Sequence, residues 1–326
     1  MRIASADLPL AVGPVIRIAS GFSSGSLLMA FVATLVANPS NPVLVPAIAE
    51  AAAAAVDAAG LYWLADGIAC DIALRDGSDP ATARETIAAA IAGVPIDLVV
   101  QQAETRRKTM LIADMDSTMI QQECIDELAA EVGLKDKVAA ITARAMNGEI
   151  AFEPALRERV GLLRGLPISV VGDVLQNRIT LMPGGPELIA TMKAKGHYTA
   201  LVSGGFTVFT REIAAKLGFD EHRANRLLEE DGILTGLVEE PILGKQAKVD
   251  ALTEITARLG ISPDEAMAVG DGANDLGMLH LSGSGVALHA KPAVATEAQM
   301  RIDHGDLTAL LYIQGYRKSD FAKPLP

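Results

Sequence analysis

Hydrophobic and polar positions follow two different rhythms along the chain. Between residues 28 and 102, "SLLMAFVATLVAN" reads as a strand and "NPVLVPAIAEAAAAAVDAAG" as a helix introduced by prolines and ended by Gly60. "DGIACDIAL" reads as a second strand, "DPATARETIAAAIAG" as a helix with Asp79 near its cap, and "PIDLVVQQ" as a third. "LYWLA" can pair with "GIACDIAL" across a turn at Asp66-Gly67. The resulting order, β-α-β-β-α-β, is that of a small α+β module of the ferredoxin-like type. Residues 103–108, "AETRRK", read as a polar linker.

From Thr109 the rhythm changes. "KTMLIAD", "YTALVSGG" and "EAMAVGDG" are each a short apolar run leading into a polar, glycine-bearing loop and then a helical stretch. Buried strands followed by helices predict an α/β fold with a Rossmann-like parallel sheet covered on both faces. "NRLLEEDGILTGLV" predicts a hairpin turning at Asp231-Gly232. Residues 121 to about 182 carry almost no strand signal and read as several helices inserted after the first strand, a helical cap on a domain spanning 109–326.

Composition narrows what such a chain does. The 326 residues are 50% hydrophobic but only 4% aromatic, so alanine and aliphatic packing builds the core. A net charge of -12 excludes a broad nucleic-acid or anionic-membrane surface, which needs a basic face, but leaves room for one small phosphorylated substrate. No run reaches the ~18 apolar residues of a membrane span. Cys70 and Cys124 are too few and too far apart for a disulfide framework, which points to a reducing, cytoplasmic compartment. Residues 1–27 read as an extension without a basic region and compact apolar core, hence not as a signal peptide, with Met29 as an alternative start.

The chemistry sits where the apolar runs end. Ligands of a parallel α/β sheet bind beyond the carboxyl ends of its strands. Three such ends carry polar groups: Asp114 with Asp116; Ser203 with Gly204 and Gly205; and Asp271 with Asn274 and Asp275. Lys248 lies on the segment feeding the third. Acids at two strand ends can share a hard cation such as Mg2+ through oxygen ligands, which relieves their repulsion. A metal-bound carboxylate stays ionised and can attack phosphorus. Its neighbour two residues on, held near that charge, has reason to keep a proton and act as acid, then base. A serine hydroxyl, backbone amides at a glycine turn and a lysine would position and neutralise a phosphoryl group.

"DMDST", "SGG", "KQAK" and "GDGAND" resemble the four motifs of the haloacid dehalogenase superfamily, and residues 109 to about 318 resemble its phosphoserine phosphatase branch. The resemblance implies Asp114 as nucleophile, Asp116 as general acid/base, and magnesium held by Asp114, the Asp116 backbone carbonyl and Asp271. It also implies Ser203, Gly204 and Lys248 on the phosphate, with Asn274 nearby and Asp275 supporting the loop. Dehalogenation is disfavoured because the second acid is present.

A helix starting near Phe152 would align Phe152, Leu156, Arg159 and Leu163 on one face, with Arg157 and Arg164 pointing to solvent. An arginine in an apolar stripe needs an anion, from the cap itself or from a ligand. By the resemblance Arg159 takes the substrate carboxylate, Glu123 its ammonium, and Phe152 shields the site, which fits O-phospho-L-serine. Phosphohomoserine or another small phosphate, phosphoryl transfer to an alcohol, and an amino-acid-sensing regulatory protein are the alternatives. The N-terminal module resembles an ACT domain. Its loop "VANPSNPVLVP" lacks the glycine turn such domains present to an effector, so dimerisation to a homodimer or a packing role stands beside effector binding.

Overall fold

A computed structural model describes residues 30–146 and 149–324. The extension expected at 1–27, and Met29, lie outside the described residues.

The N-terminal module runs β1 (Phe31–Ala37), α1 (Pro46–Ala55), β2 (Gly60–Ala65), β3 (Ala69–Ala73), α2 (Pro80–Ala90) and β4 (Ile96–Gln102). Its strands form an antiparallel sheet in the order β2-β3-β1-β4. Period-two alternation divides β1 between two cores. Ala33, Leu35 and Ala37 pack with Ala49, Ala52 and Ile87 of the helices, whereas Val36 joins an apolar cluster containing Leu310 and Ile313 near the C-terminus. The α2 start is as read: Asp79 accepts from the Thr82 N–H at 2.8 Å. α1 stops at Ala55, well short of Gly60, which instead opens β2. Asp57 adopts a left-handed φ of 47°, which aspartate tolerates, and pairs with Arg75 at 2.9 Å, turning the chain early.

The larger domain opens with β5 (Met110–Ala113), followed by the helical insertion α3 (Cys124–Glu131), α4 (Lys135–Met146), α5 (Phe152–Gly161) and α6 (Val170–Asn177). Then come α7 (Gly185–Ala194), β6 (Tyr198–Phe206), α8 (Thr207–Leu217), β7 (Glu221–Asn225) and the hairpin β8 (Leu227–Glu230) to β9 (Ile233–Val238). Asp231 and Gly232 take φ of 50° and 76° at its turn, as an Asp-Gly hairpin requires. The chain ends with α9 (Lys245–Leu259), β10 (Ala266–Gly270), α10 (Leu276–Leu281), β11 (Ser284–Leu288), α11 (Pro292–Glu297), β12 (Met300–Ile302) and α12 (Ala309–Ile313). The central sheet has six strands in the order β12-β11-β10-β5-β6-β7, all parallel. β5 is flanked by β10 and β6, so the three polar strand ends meet at one edge of the sheet.

Asp97 of β4 ties the two parts together. Its buried carboxylate accepts the backbone N–H groups of Asp303, His304 and Gly305 at 2.7–3.2 Å, in the loop after β12. Cys70 and Cys124 are buried and unbridged. No helix among the described residues is long and apolar enough to cross a membrane.

Candidate active site

Backbone pairing presents Asp114 at the sheet edge: its N–H still bonds Val269 of β10 at 3.0 Å, and the chain then leaves the sheet. The Asp114 carboxylate lies 2.8 Å from the ammonium of Lys248, which has 0% exposure and reaches Asp275 at 2.6 Å on its other side. Burial pulls that ammonium down, but Asp114 and Asp275 outweigh it and hold it above the ordinary lysine range. Asp275 gives its other oxygen to the Gly272 N–H at 3.0 Å, and burial pushes it up to about 6 against the pull of Lys248.

Asp114, Asp271 and Asp275 offer carboxylate oxygens within 4.8 Å of one another. Among the described residues no ion pair reaches Asp271; the Thr118 hydroxyl donates to it at 3.2 Å. Burial, then Asp275 and Asp114, push Asp271 well above the carboxylate range. One lysine against three crowded acids leaves excess negative charge in an all-oxygen donor set, the chemistry that holds a hard divalent cation.

Asp116 stands apart from this cluster. It accepts the Cys124 N–H at 3.0 Å and so caps α3, whose N-cap residue Glu123 makes no side-chain cap bond. Glu123 instead accepts from the Ser117 hydroxyl at 2.8 Å. Ser117 sits at φ 54°, a left-handed conformation that brings the chain round between the two acids. Burial pushes Asp116 up to about 8, with Glu123 and Asp114 adding to it, so this carboxyl holds a proton at neutral pH while Asp114 is paired with an ammonium.

Ser203 is buried within β6, where its apolar run ends, and accepts the Gly205 N–H at 2.9 Å. A Cβ on Gly205 would come within 2.7 Å of Asp116 Oδ2 and 3.1 Å of Ser203 Oγ. Gly205→Ala is therefore expected to displace the Asp116 carboxyl. Turnover should fall about a hundredfold with stability changed by less than about 1 kcal/mol, because the atom displaced is the mobile end of a side chain. Parallel kinetics and urea titration check this; wild-type turnover would show that Asp116 does not need that position.

The helical insertion roofs the strand ends over a cleft of about 450 Å3. Asp114, Asp116, Glu123, Phe152, Arg159, Ser203, Gly204, Asp271 and Asn274 line this one cleft, and Lys248 lies beneath its floor. The Phe152 ring closes on the glycine turn, since a Cβ on Gly204 would meet it at 2.9 Å. Arg159 has 6% exposure beside Leu156, while Arg157 is outside and pairs with Glu153 and Glu240. A larger groove of about 760 Å3, between α6 and α8, holds none of the strand-end acids.

Residues 111–280, more than half of the chain, match the model of the haloacid dehalogenase-like hydrolase family. The chain belongs to that family. This hydrolase is 46% identical over 202 residues to phosphoserine phosphatase of Haemophilus influenzae, a match covering 62% of the chain and 64% of that relative. Its fold is similar to a haloacid dehalogenase family hydrolase of Salmonella enterica serovar Typhi, with TM-score 0.76, 28% identity, and 87% of this chain and 98% of that one covered. It is also similar to a phosphoserine phosphatase solved as a phospho-aspartyl intermediate analogue, with TM-score 0.61, 42% identity, and 63% and 98% covered.

The partners of three residues at this hydrolase's site escape sequence reasoning. Thr118 and Ser117 read as a plain continuation of the first acid motif, yet their hydroxyls bond Asp271 and Glu123. Asn225, at the end of β7, donates to the carbonyls of Gly204 and Leu243 and accepts the Leu243 N–H, stapling the glycine turn to the segment before α9.

Proposed function

We propose that the protein is a phosphoserine phosphatase, hydrolysing O-phospho-L-serine to L-serine and phosphate, the step that completes serine biosynthesis. The observation that carries the substrate is the guanidinium of Arg159. It is enclosed by the cap, makes no ion pair among the described residues, and shares the cleft with Glu123 above Asp114. A buried guanidinium that no carboxylate touches directly favours one that does, and a substrate carboxylate supplies it. Glu123 then takes the ammonium, and Phe152 covers the ester.

Asp114 attacks phosphorus, the bond to the serine oxygen breaks, and Asp116 gives that oxygen its proton. An aspartyl phosphate results. Asp116 next takes a proton from water, which attacks the phosphorus, releasing phosphate and restoring the Asp114 carboxylate. Ser203, Gly204 and Lys248 hold and neutralise the phosphoryl oxygens, with Asn274 beside them. The excess negative charge of the acid cluster fits Mg2+ held by Asp114, Asp271 and the Asp116 carbonyl; Asp275 has its oxygens engaged with Lys248 and Gly272. When bound, the ion supplies charge neutralisation at the transferring phosphoryl group. The N-terminal sheet order supports an ACT-like module, and its coverage by the C-terminal segment favours a packing role over homodimerisation.

Phosphate release from a panel of esters, with magnesium and with chelator, tests this reading. Phosphoserine should be preferred and release lost with chelator. Arg159→Ala should lower kcat/KM for phosphoserine about a hundredfold and largely spare p-nitrophenyl phosphate. Equal losses on both esters would make Arg159 structural.

A further inference from the structure

We propose that Asp126 and Thr142 aim Arg159 into the cleft through a hydroxyl-bridged counter-charge, and so set how strongly the enzyme prefers a phosphate ester that carries a carboxylate. The inference rests on Arg159 being the group that receives the substrate carboxylate.

Three cap helices contribute one residue each: Asp126 from α3, Thr142 from α4 and Arg159 from α5. Arg159 Nε donates to the Ala155 carbonyl at 3.1 Å within its own helix, and Nη1 donates to Thr142 Oγ1 at 3.0 Å. Thr142 has 4% exposure, and its hydroxyl faces two acceptors at 3.0 Å, Asp126 Oδ1 and the Val138 carbonyl. A hydroxyl has one proton to donate and lone pairs to accept with. Donating to Asp126 leaves the oxygen turned towards Arg159, whereas donating to Val138 is ordinary back-bonding along a helix. The carboxylate therefore polarises the hydroxyl in the direction that serves the guanidinium.

The indirectness of the contact matters. A carboxylate bound face to face with Arg159 would occupy the planar fork that a substrate carboxylate needs. Placed behind a hydroxyl, Asp126 offsets part of the buried charge and, through Thr142, holds Nη1; the Ala155 carbonyl holds Nε, while Nη2 makes no hydrogen bond to another described residue. The guanidinium is thus held from behind and open in front. Because the bridge crosses three helices, their relative placement is transmitted to the group that reads the substrate. Asp126 and Thr142 are positioning residues in this scheme.

The test compares O-phospho-L-serine with phosphoethanolamine, which keeps the amine and the phosphate but has no carboxylate. Thr142→Val, nearly isosteric, is expected to raise KM for phosphoserine about tenfold, with kcat within about twofold and phosphoethanolamine kinetics little changed. Thr142→Ser should restore the wild-type ratio. Asp126→Ala should shift the ratio in the same direction in the wild-type background and add nothing in the Thr142→Val background, as expected for residues acting through one contact. A wild-type preference for phosphoserine that survives Thr142→Val unchanged, equal losses on both esters, or an Asp126→Ala effect independent of Thr142 would each overturn the bridge alone. Absence of any wild-type preference between the two esters would overturn the functional reading and this inference with it.

Discussion

Asp114→Asn is expected to lower phosphate release by about four orders of magnitude while the protein stays folded. The amide nitrogen and oxygen occupy the same space, but a neutral amide is no nucleophile towards phosphorus. Structural damage is limited because Lys248 keeps its second partner, Asp275, at 2.6 Å. Removing one of three acids whose oxygens lie within 4.8 Å of one another also relieves repulsion. Thermal melting at or slightly above the wild-type midpoint, together with lost turnover, is the expected pair of results. Turnover within tenfold of wild type would mean that Asp114 is not the attacking group.

Lys248→Met should remove activity almost as fully, by about a thousandfold, but with the opposite effect on stability. The ammonium is fully buried and joins Asp114 to Asp275. Its removal leaves two enclosed carboxylates facing each other, and breaking a buried pair from one side typically costs about 3–5 kcal/mol. Urea titration without added metal should place this variant well below both wild type and Asp114→Asn. The two substitutions strike the same ion pair, so their stabilities separate the roles of its members. A Lys248→Met midpoint equal to that of Asp114→Asn would show that the lysine does not balance the cluster.

Much of this site was legible because its parts stand at the ends of apolar runs. Asp114, Ser203 and Asp271 each follow an apolar run that reads as a strand, and Asp231-Gly232 forms the hairpin turn its residues demand. Arg159 was legible as a misfit, a charge in an apolar stripe, and is buried as that pattern requires. The edge strand β7, "EHRAN", shows no apolar pattern because its solvent side needs none, and β12 is three residues long. β11, "SGVAL", is buried throughout but small and glycine-bearing, so its run does not stand out. The end of α1 was misplaced because Asp57, rather than a glycine, takes the left-handed turn.

Partners across long sequence separations were not legible at all. Lys248 was legible as a site residue through its motif, but its pairing with Asp114 and Asp275 was not, because only the fold puts it beneath them. Thr118 reaches Asp271 across 153 positions, and Asp97 holds a loop 206 to 208 positions away. No local pattern encodes such pairs, because they depend on the sheet order that brings the strand ends together.

The most direct test of the account is rapid-quench labelling of the wild-type enzyme with phosphoserine carrying a radioactive phosphoryl group, in the presence of magnesium. Label is expected, within the first turnover, on the peptide containing Asp114, released by hydroxylamine as an acyl phosphate is, and chased into free phosphate by unlabelled substrate. Serine released at the full rate with the phosphoryl group passing straight to water and no labelled peptide, or label on another residue, would contradict it.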